Sequence, residues 1–106
     1  MQYFVYILFC ADGSYYTGST SNLERRIAQH QAGEIPGAYT RSRRPVKLVW
    51  FESFSTENDA LKAERQIKGW SRAKKAALIE NDWDKIHQIV RNERAAREQK
   101  KRSNKK

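Results

Sequence analysis

Apolar residues are grouped along the chain in runs that predict three strands. Residues 3–10 form a continuous apolar run rich in β-branched and aromatic side chains, which is typical of a strand covered on both faces. The turn signal Asp12-Gly13 follows, and residues 15–18 resume an extended pattern, so these two segments are predicted to form a hairpin. Residues 46–54 contain a second apolar run and predict the third strand.

Segments with helical spacing and capping residues lie between and after these strands. Ser21 or Asn22 can cap a first helix, and Gly33 supplies its stop. Thr56, followed three residues later by an aspartate, begins a second helix that reaches residue 68 and ends at Gly69.

Three further segments complete the chain. Residues 34–45 contain two prolines and no periodicity, which predicts a loop. Ser71 can cap a short helix over 72–80, and Asp82 opens a last helix that grades into a tail of Arg, Glu and Lys. The expected fold is α+β, with the elements in the order β-β-α-β-α-α along the chain. The strands form a small, three-stranded, mostly antiparallel sheet, and helices flank it.

The division of charge separates the folded part from the tail. The formal charge is +9, and residues 91–106 hold eight basic and two acidic residues, a net charge of +6. Such a tail binds polyanions through counterion release, or it serves only to keep the protein soluble. We therefore expect one domain over residues 1–80 and a C-terminal helix with a basic, mobile tail over residues 81–106.

The cysteine count and the apolar N-terminal run indicate in which cellular compartment the protein is expected. The single cysteine, Cys10, cannot form an internal disulfide. The apolar N-terminal run is too short to span a bilayer and lacks the basic flank of a signal peptide. We expect a cytoplasmic protein with no membrane partner, and a monomer by default.

Polar residues occupy apolar faces of both predicted helices. At 100° per residue, Arg26 and His30 border the stripe that Leu23 and Ile27 define, whereas Arg25 points to the opposite side. These two side chains are therefore expected to turn inward, one helical turn apart.

The second helix also carries a charged residue, a glutamate, on its apolar face. Glu64 falls inside the apolar arc that runs from Ile67 through Ala60 to Leu61, where an unpaired charge costs several kcal/mol. Two interpretations follow. Either Glu64 and Arg26 form a buried ion pair between helices, or they line a polar cleft that binds a phosphate and a metal ion.

Two hairpin tyrosines extend the second interpretation. Tyr6 and Tyr16 lie near the end of the hairpin that meets the first helix, and Gly18 leaves space beside them for a ligand or a backbone. Tyrosines in strands also pack across strands without any chemical role.

Together these residues resemble the GIY-YIG nuclease domain. The signature segments correspond to Phe4-Val5-Tyr6 and Tyr16-Thr17-Gly18, and the positions of Arg26, His30 and Glu64 match the family's arginine, histidine and metal-binding glutamate. The subgroup that this chain resembles is the small, stand-alone UPF0213 type, related to the N-terminal part of the UvrC excision-repair nuclease. Phe4-Val5 and Thr17 depart from the family pattern.

The resemblance implies a metal-dependent endonuclease that hydrolyses DNA, selects its substrate by structure and acts in repair. Glu64 would hold one Mg²⁺ or Mn²⁺ ion, and Arg26 would contact the phosphate. Tyr6 would be the general base, activated by a nearby cation, by a hydrogen bond from Tyr16 or by relay to His30, and Tyr16 would orient the water or the phosphate.

The resemblance also implies that basic and aromatic residues around the cleft guide the nucleic acid, with DNA expected rather than RNA. The candidates are Arg41, Arg43, Arg44, Lys47, Lys68, Trp70, Arg72, Lys74 and Lys75. Two alternatives stay open: a nucleic-acid-binding module without turnover, on DNA or RNA, and a protein-interaction domain whose polar cluster is a buried ion pair.

Overall fold

The computed structural model describes residues 1–81. These residues divide between two units, the first Met1–Trp70 and the second beginning at Ser71. The predicted helix that opens at Asp82 and the basic tail after it lie outside the described residues. The expected domain boundary at residue 80 stays a prediction.

The first unit contains a three-stranded sheet with the N-terminal strand at its centre. Strands β1 (Tyr3–Phe9), β2 (Tyr15–Thr20) and β3 (Lys47–Phe54) lie in the order β2-β1-β3. Both pairings are antiparallel. The predicted α+β fold and the hairpin are confirmed, and β1 is the central strand with a hydrogen-bonded neighbour along each edge.

The core follows from the alternation of side chains along β1. Its four central residues, Val5, Tyr6, Ile7 and Leu8, are all buried. Tyr6 and Leu8 share one face of the sheet, where they cluster with Cys10 and pack against side chains of the first helix.

The helices begin and end at the capping residues that the sequence offers. Helix α1 (Leu23–Ala32) is capped by Asn22, whose side chain accepts from the backbone N–H of Arg25, and it ends at Gly33 in a left-handed conformation. Helix α2 (Glu57–Lys68) is capped by Thr56 and packs on the strands, burying Ala60 and Ile67.

The second unit begins with a short helix of its own. Helix α3 (Arg72–Ile79) is capped by Ser71, and Ala77 and Leu78 are its buried residues. No helix within residues 1–81 combines the length and the apolar character needed to cross a membrane.

The predicted loop after α1 contains one short 3-10 helix, Arg41–Arg43. The side chain of Gln31 bonds both backbone groups of Val46 and so ties the end of α1 to the start of β3. Gly33 has a φ of +69°, a left-handed conformation that residues other than glycine rarely adopt.

Candidate active site

The two hairpin tyrosines lie side by side because a glycine makes room for one of them. Tyr6 on β1 pairs with Gly18 on β2. A Cβ on Gly18 would lie 2.5 Å from the Tyr6 hydroxyl oxygen, so only glycine lets the phenol rest against the neighbouring strand. The Tyr16 ring lies 6.3 Å from the Tyr6 ring and is tilted by 47° to it.

The buried imidazole of His30, in the last turn of α1, meets this phenol. The Tyr6 hydroxyl oxygen lies 2.9 Å from His30 Nε2. The Tyr16 ring lies 5.1 Å from the imidazole ring. Burial first, and then the charge of Arg26, lower the pKa of His30. The imidazole is therefore neutral at pH 7, and one of its ring nitrogens carries a lone pair.

The electrostatic surroundings of Tyr6 include both of the charged residues that the helix periodicity singled out. Burial is the largest cause that raises the pKa of the Tyr6 phenol, and Tyr16 and Glu64 raise it further. Arg26 opposes them. At neutral pH the phenol is therefore protonated, with a guanidinium from α1 and a carboxylate from α2 both near enough to act on it.

Arg26 lies one turn before His30 and keeps an unused donor. Its Nε is buried and has no hydrogen-bond partner among residues 1–81. Arg26 lines a cleft of about 260 Å³, and the other lining residues are Thr20, Ser21, Asn22, Arg25 and Gln29. None of these is acidic, so this cleft presents a guanidinium in surroundings that favour an anion.

The partners of Glu64 are Ser19 and Lys68 rather than Arg26. The Ser19 hydroxyl donates to Glu64 Oε1 at 3.1 Å. Lys68 Nζ lies 3.6 Å from the same oxygen. No ion pair joins Glu64 to Arg26 within the described residues, so the interpretation as a buried Arg26–Glu64 pair is wrong. The two residues instead contribute separately to the polar surroundings of Tyr6.

The donor set around Glu64 suits a hydrated cation. Within residues 1–81, no three His, Cys, Asp or Glu side chains are grouped so that they could hold a metal ion. Mg²⁺, however, usually keeps several waters and is bound through one or two carboxylates and the substrate phosphates. The Glu64 side chain is 17% exposed, and its neighbour Lys68 is 52% exposed on a flexible stem. A single accessible carboxylate of this kind fits such a site.

Comparison with known proteins now assigns the family. The model of the GIY-YIG catalytic domain matches residues 2–77. The chain belongs to this family. The matched region includes all five residues of the predicted catalytic set, so the resemblance is confirmed. Membership in a nuclease domain family supports a nuclease-type function with a nucleic acid as the substrate class.

Relatives of this GIY-YIG domain come from archaea and bacteria. The UPF0213 protein of Natronomonas pharaonis is 51% identical over 82 residues, covering 76% of this chain and 94% of the relative. The UPF0213 protein of Staphylococcus haemolyticus is 50% identical over 80 residues, covering 74% of this chain and 95% of the relative.

Two solved structures are similar to this GIY-YIG domain. The solution NMR structure of the UPF0213 protein from Bacillus halodurans is 42% identical, with a TM-score of 0.50, and the match covers 76% of this chain and 84% of that one. The solution NMR structure of a protein from E. faecalis is 35% identical, with a TM-score of 0.54 and coverage of 76% and 85%.

Two arginines that the sequence offers to the nucleic acid are bonded within the domain. Arg43 donates to Asp12 Oδ2 at 2.9 Å and to the Tyr39 carbonyl at 2.7 Å. Arg44 donates to the Arg41 carbonyl at 2.9 Å. A contact between either guanidinium and a phosphate would therefore use its remaining donors, or would replace these bonds.

The other nucleic-acid candidates are spread over both units. The exposed candidates of the first unit are Arg41, Lys47 and Lys68, and the half-buried Trp70 is the last residue of that unit. The candidates on α3 in the second unit are Arg72, Lys74 and Lys75. Their assignment to nucleic-acid binding stays a prediction.

Sequence reasoning missed two neighbouring loop residues at the site. The Tyr39 ring stacks on the Tyr16 ring, with centroids 6.2 Å apart and an interplanar angle of 15°. The Thr40 hydroxyl oxygen lies 2.6 Å from His30 Nδ1, and Thr40 is buried. Both residues lie in a loop without periodicity, so no local signal distinguishes them from their neighbours.

Proposed function

We propose that this protein is a divalent-metal-dependent endonuclease that hydrolyses DNA phosphodiester bonds, selects DNA by its structure and acts in DNA repair. One observation carries the proposal: the Tyr6 hydroxyl oxygen lies 2.9 Å from His30 Nε2, and Arg26 lies one turn before His30 on α1. The charge of Glu64 on α2 is close enough to raise the pKa of the same phenol. A candidate base, a phosphate ligand and a metal ligand therefore lie within one small region of the domain.

Tyr6 acts as the general base in this proposal, with His30 as its own proton acceptor. A buried phenol with a raised pKa is a poor source of phenolate at neutral pH. In the tautomer that leaves Nε2 of His30 unprotonated, this difficulty is solved, because the phenol proton moves to Nε2 as the phenol oxygen takes a proton from the attacking water. Tyr16, beside both rings, orients that water or the phosphate.

Arg26 binds the phosphate in this proposal. A planar guanidinium donates in a fork that matches two non-bridging oxygens, and these bonds strengthen as negative charge develops there. The unused Nε donor and the polar cleft beside it are the features that support this role.

Glu64 is the residue that would hold the metal ion. When bound, Mg²⁺ or Mn²⁺ polarises the phosphate and stabilises the charge on the leaving 3′ oxygen. The Ser19 hydroxyl fixes one carboxylate oxygen, so that Glu64 presents its carboxylate in a defined orientation before any cation arrives.

The choice of substrate rests on charge and on the resemblance. A formal charge of +9 favours a polyanion, and contacts from lysines and arginines to phosphates carry no sequence information. Selection by DNA structure is therefore the form of specificity that we propose. The preference for DNA over RNA and the link to repair rest on the resemblance to the excision-repair nuclease.

Nicking of supercoiled plasmid in Mg²⁺ or Mn²⁺ tests the proposal. We expect nicking by the wild type, its loss on chelation with EDTA, and a decrease of about 10²- to 10³-fold in Arg26→Ala and Glu64→Gln. Arg65→Ala and Glu57→Gln are the matched controls, because they remove the same charges from exposed positions of α2. Flapped duplexes and single-stranded RNA of the same sequence test the choice of substrate.

The outcomes separate the open functions. Nicking that survives both site variants would refute the assignment of the site. Salt-sensitive binding of DNA or RNA without nicking in either metal would instead establish the non-catalytic module. Nucleic-acid affinity that does not change between about 50 and 200 mM salt would exclude both functions, because phosphate contacts depend steeply on salt.

A further inference from the structure

His30 has a second ring nitrogen, for which the proposed function assigns no role. Its Nδ1 lies 2.6 Å from the hydroxyl oxygen of Thr40, which is ten residues further along the chain. Thr40 is 1% exposed and His30 is 2% exposed, so water does not substitute for either partner. The imidazole is therefore placed between two hydroxyl groups, the Tyr6 phenol at Nε2 and the Thr40 alcohol at Nδ1.

Elementary acidity decides which hydroxyl donates. A neutral imidazole has one N–H donor and one lone-pair nitrogen, so one hydroxyl must donate to it and the other must accept from it. A phenol is far more acidic than an aliphatic alcohol and is the better donor, whereas the alcohol oxygen is the better acceptor. The combination that satisfies both preferences has Tyr6 donating to Nε2 and the N–H at Nδ1 donating to Thr40.

We propose that Thr40 is a positioning residue that keeps the His30 hydrogen on Nδ1, so that Nε2 stays available for the Tyr6 proton. This inference rests on the proposed function for its catalytic consequence, but not for the tautomer itself. The opposite tautomer places an N–H against Tyr6, where it cannot take a proton. Histidine side chains in water favour that opposite form, so the protein has to impose the useful one through the bond at the other nitrogen.

The loop around Thr40 is fastened independently of His30. The Tyr39 ring stacks on Tyr16, and the Arg43 guanidinium carbon lies 3.7 Å above the centroid of the Tyr39 ring. Arg43 also donates to the Tyr39 carbonyl and to Asp12, and its backbone N–H donates to the Thr40 carbonyl at 3.0 Å. The Thr40 hydroxyl is thus set in place by its neighbours, as a residue that orients another side chain must be.

NMR of the full chain measures the tautomer without any nuclease assay. Long-range ¹H–¹⁵N correlation spectra distinguish protonated from unprotonated ring nitrogens, and His87→Gln assigns the signals of the two histidines. For His30 in the wild type we expect a protonated Nδ1 and an unprotonated Nε2. Thr40→Val keeps the shape but removes the hydroxyl, so hydrogen should move toward Nε2, and Thr40→Ser should restore the wild-type pattern.

Single-turnover nicking gives the second measurement. We expect Thr40→Val to lower the rate by about 10- to 100-fold at unchanged DNA affinity, and Thr40→Ser to recover most of it.

A wild-type His30 that carries its hydrogen on Nε2, or a Thr40→Val spectrum identical to that of the wild type, would overturn the inference. If the wild type does not nick DNA, the proposed function fails, while the spectra still decide the role of Thr40. If Thr40→Val does not fold, the wild-type and Thr40→Ser spectra decide it.

Discussion

Two parts of the site differ in how completely their bonding capacity is used. The phenol–imidazole chain (Tyr6, His30 and Thr40) is at most 2% exposed, and hydrogen-bond distances of 2.9 and 2.6 Å connect its members. The charged margin (Arg26 and Glu64) is partly exposed, and Arg26 keeps a buried donor without a partner among residues 1–81.

This difference shows which part of the site has its hydrogen bonds already formed in the absence of a ligand. Bonded groups in a dry environment hold one another in a single arrangement, which suits the movement of a proton. The unused donor of Arg26 and the partly exposed carboxylate of Glu64 are instead the groups that the proposed function assigns to a phosphate and a cation. We therefore expect substitutions in the phenol–imidazole chain to lower stability, and substitutions in the charged margin to lower activity alone.

The largest effect should come from Arg26→Met, which keeps the aliphatic stem and removes the charge. We expect plasmid nicking to fall about 10²- to 10³-fold, while the free energy of unfolding in urea does not decrease, because the lost Nε had no partner. An unfolding free energy lowered by more than about 1 kcal/mol would show that Arg26 has a structural role and would remove the contrast between the two parts.

Gly18→Ala should displace the Tyr6 phenol and so disrupt its hydrogen bond with His30. The added Cβ would lie 2.5 Å from the Tyr6 hydroxyl oxygen, and Tyr6 is buried, so the free energy of unfolding should fall by about 1–3 kcal/mol. Gly69→Ala is the control, because its nearest neighbouring atom is 3.5 Å away and its φ is −80°. Equal unfolding midpoints for Gly18→Ala and wild type would mean that Tyr6 is not held where we place it.

Two buried threonines allow a matched comparison. Thr40 is bonded to His30, whereas the hydroxyl of Thr17 is buried without a partner among the described residues. Thr40→Val should lower the unfolding free energy by about 1–3 kcal/mol, because it leaves the buried Nδ1 of His30 without a hydrogen-bond partner. Thr17→Val should raise it by about 1 kcal/mol, because it removes an unsatisfied hydroxyl. Thermal unfolding measures both, and changes of the same sign would contradict the comparison.

The smallest effect concerns pH. The pKa of His30 is lowered in the folded chain, chiefly by burial, so the unfolded chain takes up a proton near pH 6.5 while the folded chain does not. The stability is complete above that pH and decreases on acidification by less than about 1.4 kcal/mol per pH unit. We expect urea unfolding between pH 7 and 5 to show this slope in the wild type, and His30→Gln to reduce it. A wild type whose stability increases on acidification in this window would contradict a neutral, buried His30.

The periodicity of the chain predicted its elements and the residues that turn inward. The apolar run of β1, the cap at Asn22 and the stop at Gly33 were all expected, because each depends on residues that are close in sequence. The inward positions of His30 and Glu64 followed from the 3.6-residue repeat in the same way. The sequence left the partner of Glu64 open, and the structure supplies Ser19 and Lys68.

The sequence by itself determined the order of strands and helices, the family, and the faces on which charged residues contradict an apolar core. Tertiary structure alone decided which side chains meet: Tyr6 with His30 at a separation of 24 residues, Ser19 with Glu64 at 45, and Thr40 with His30 at 10. The physical reason is that periodicity and capping are properties of neighbouring residues. A hydrogen bond between distant residues depends instead on how whole elements pack, to within a fraction of an ångström.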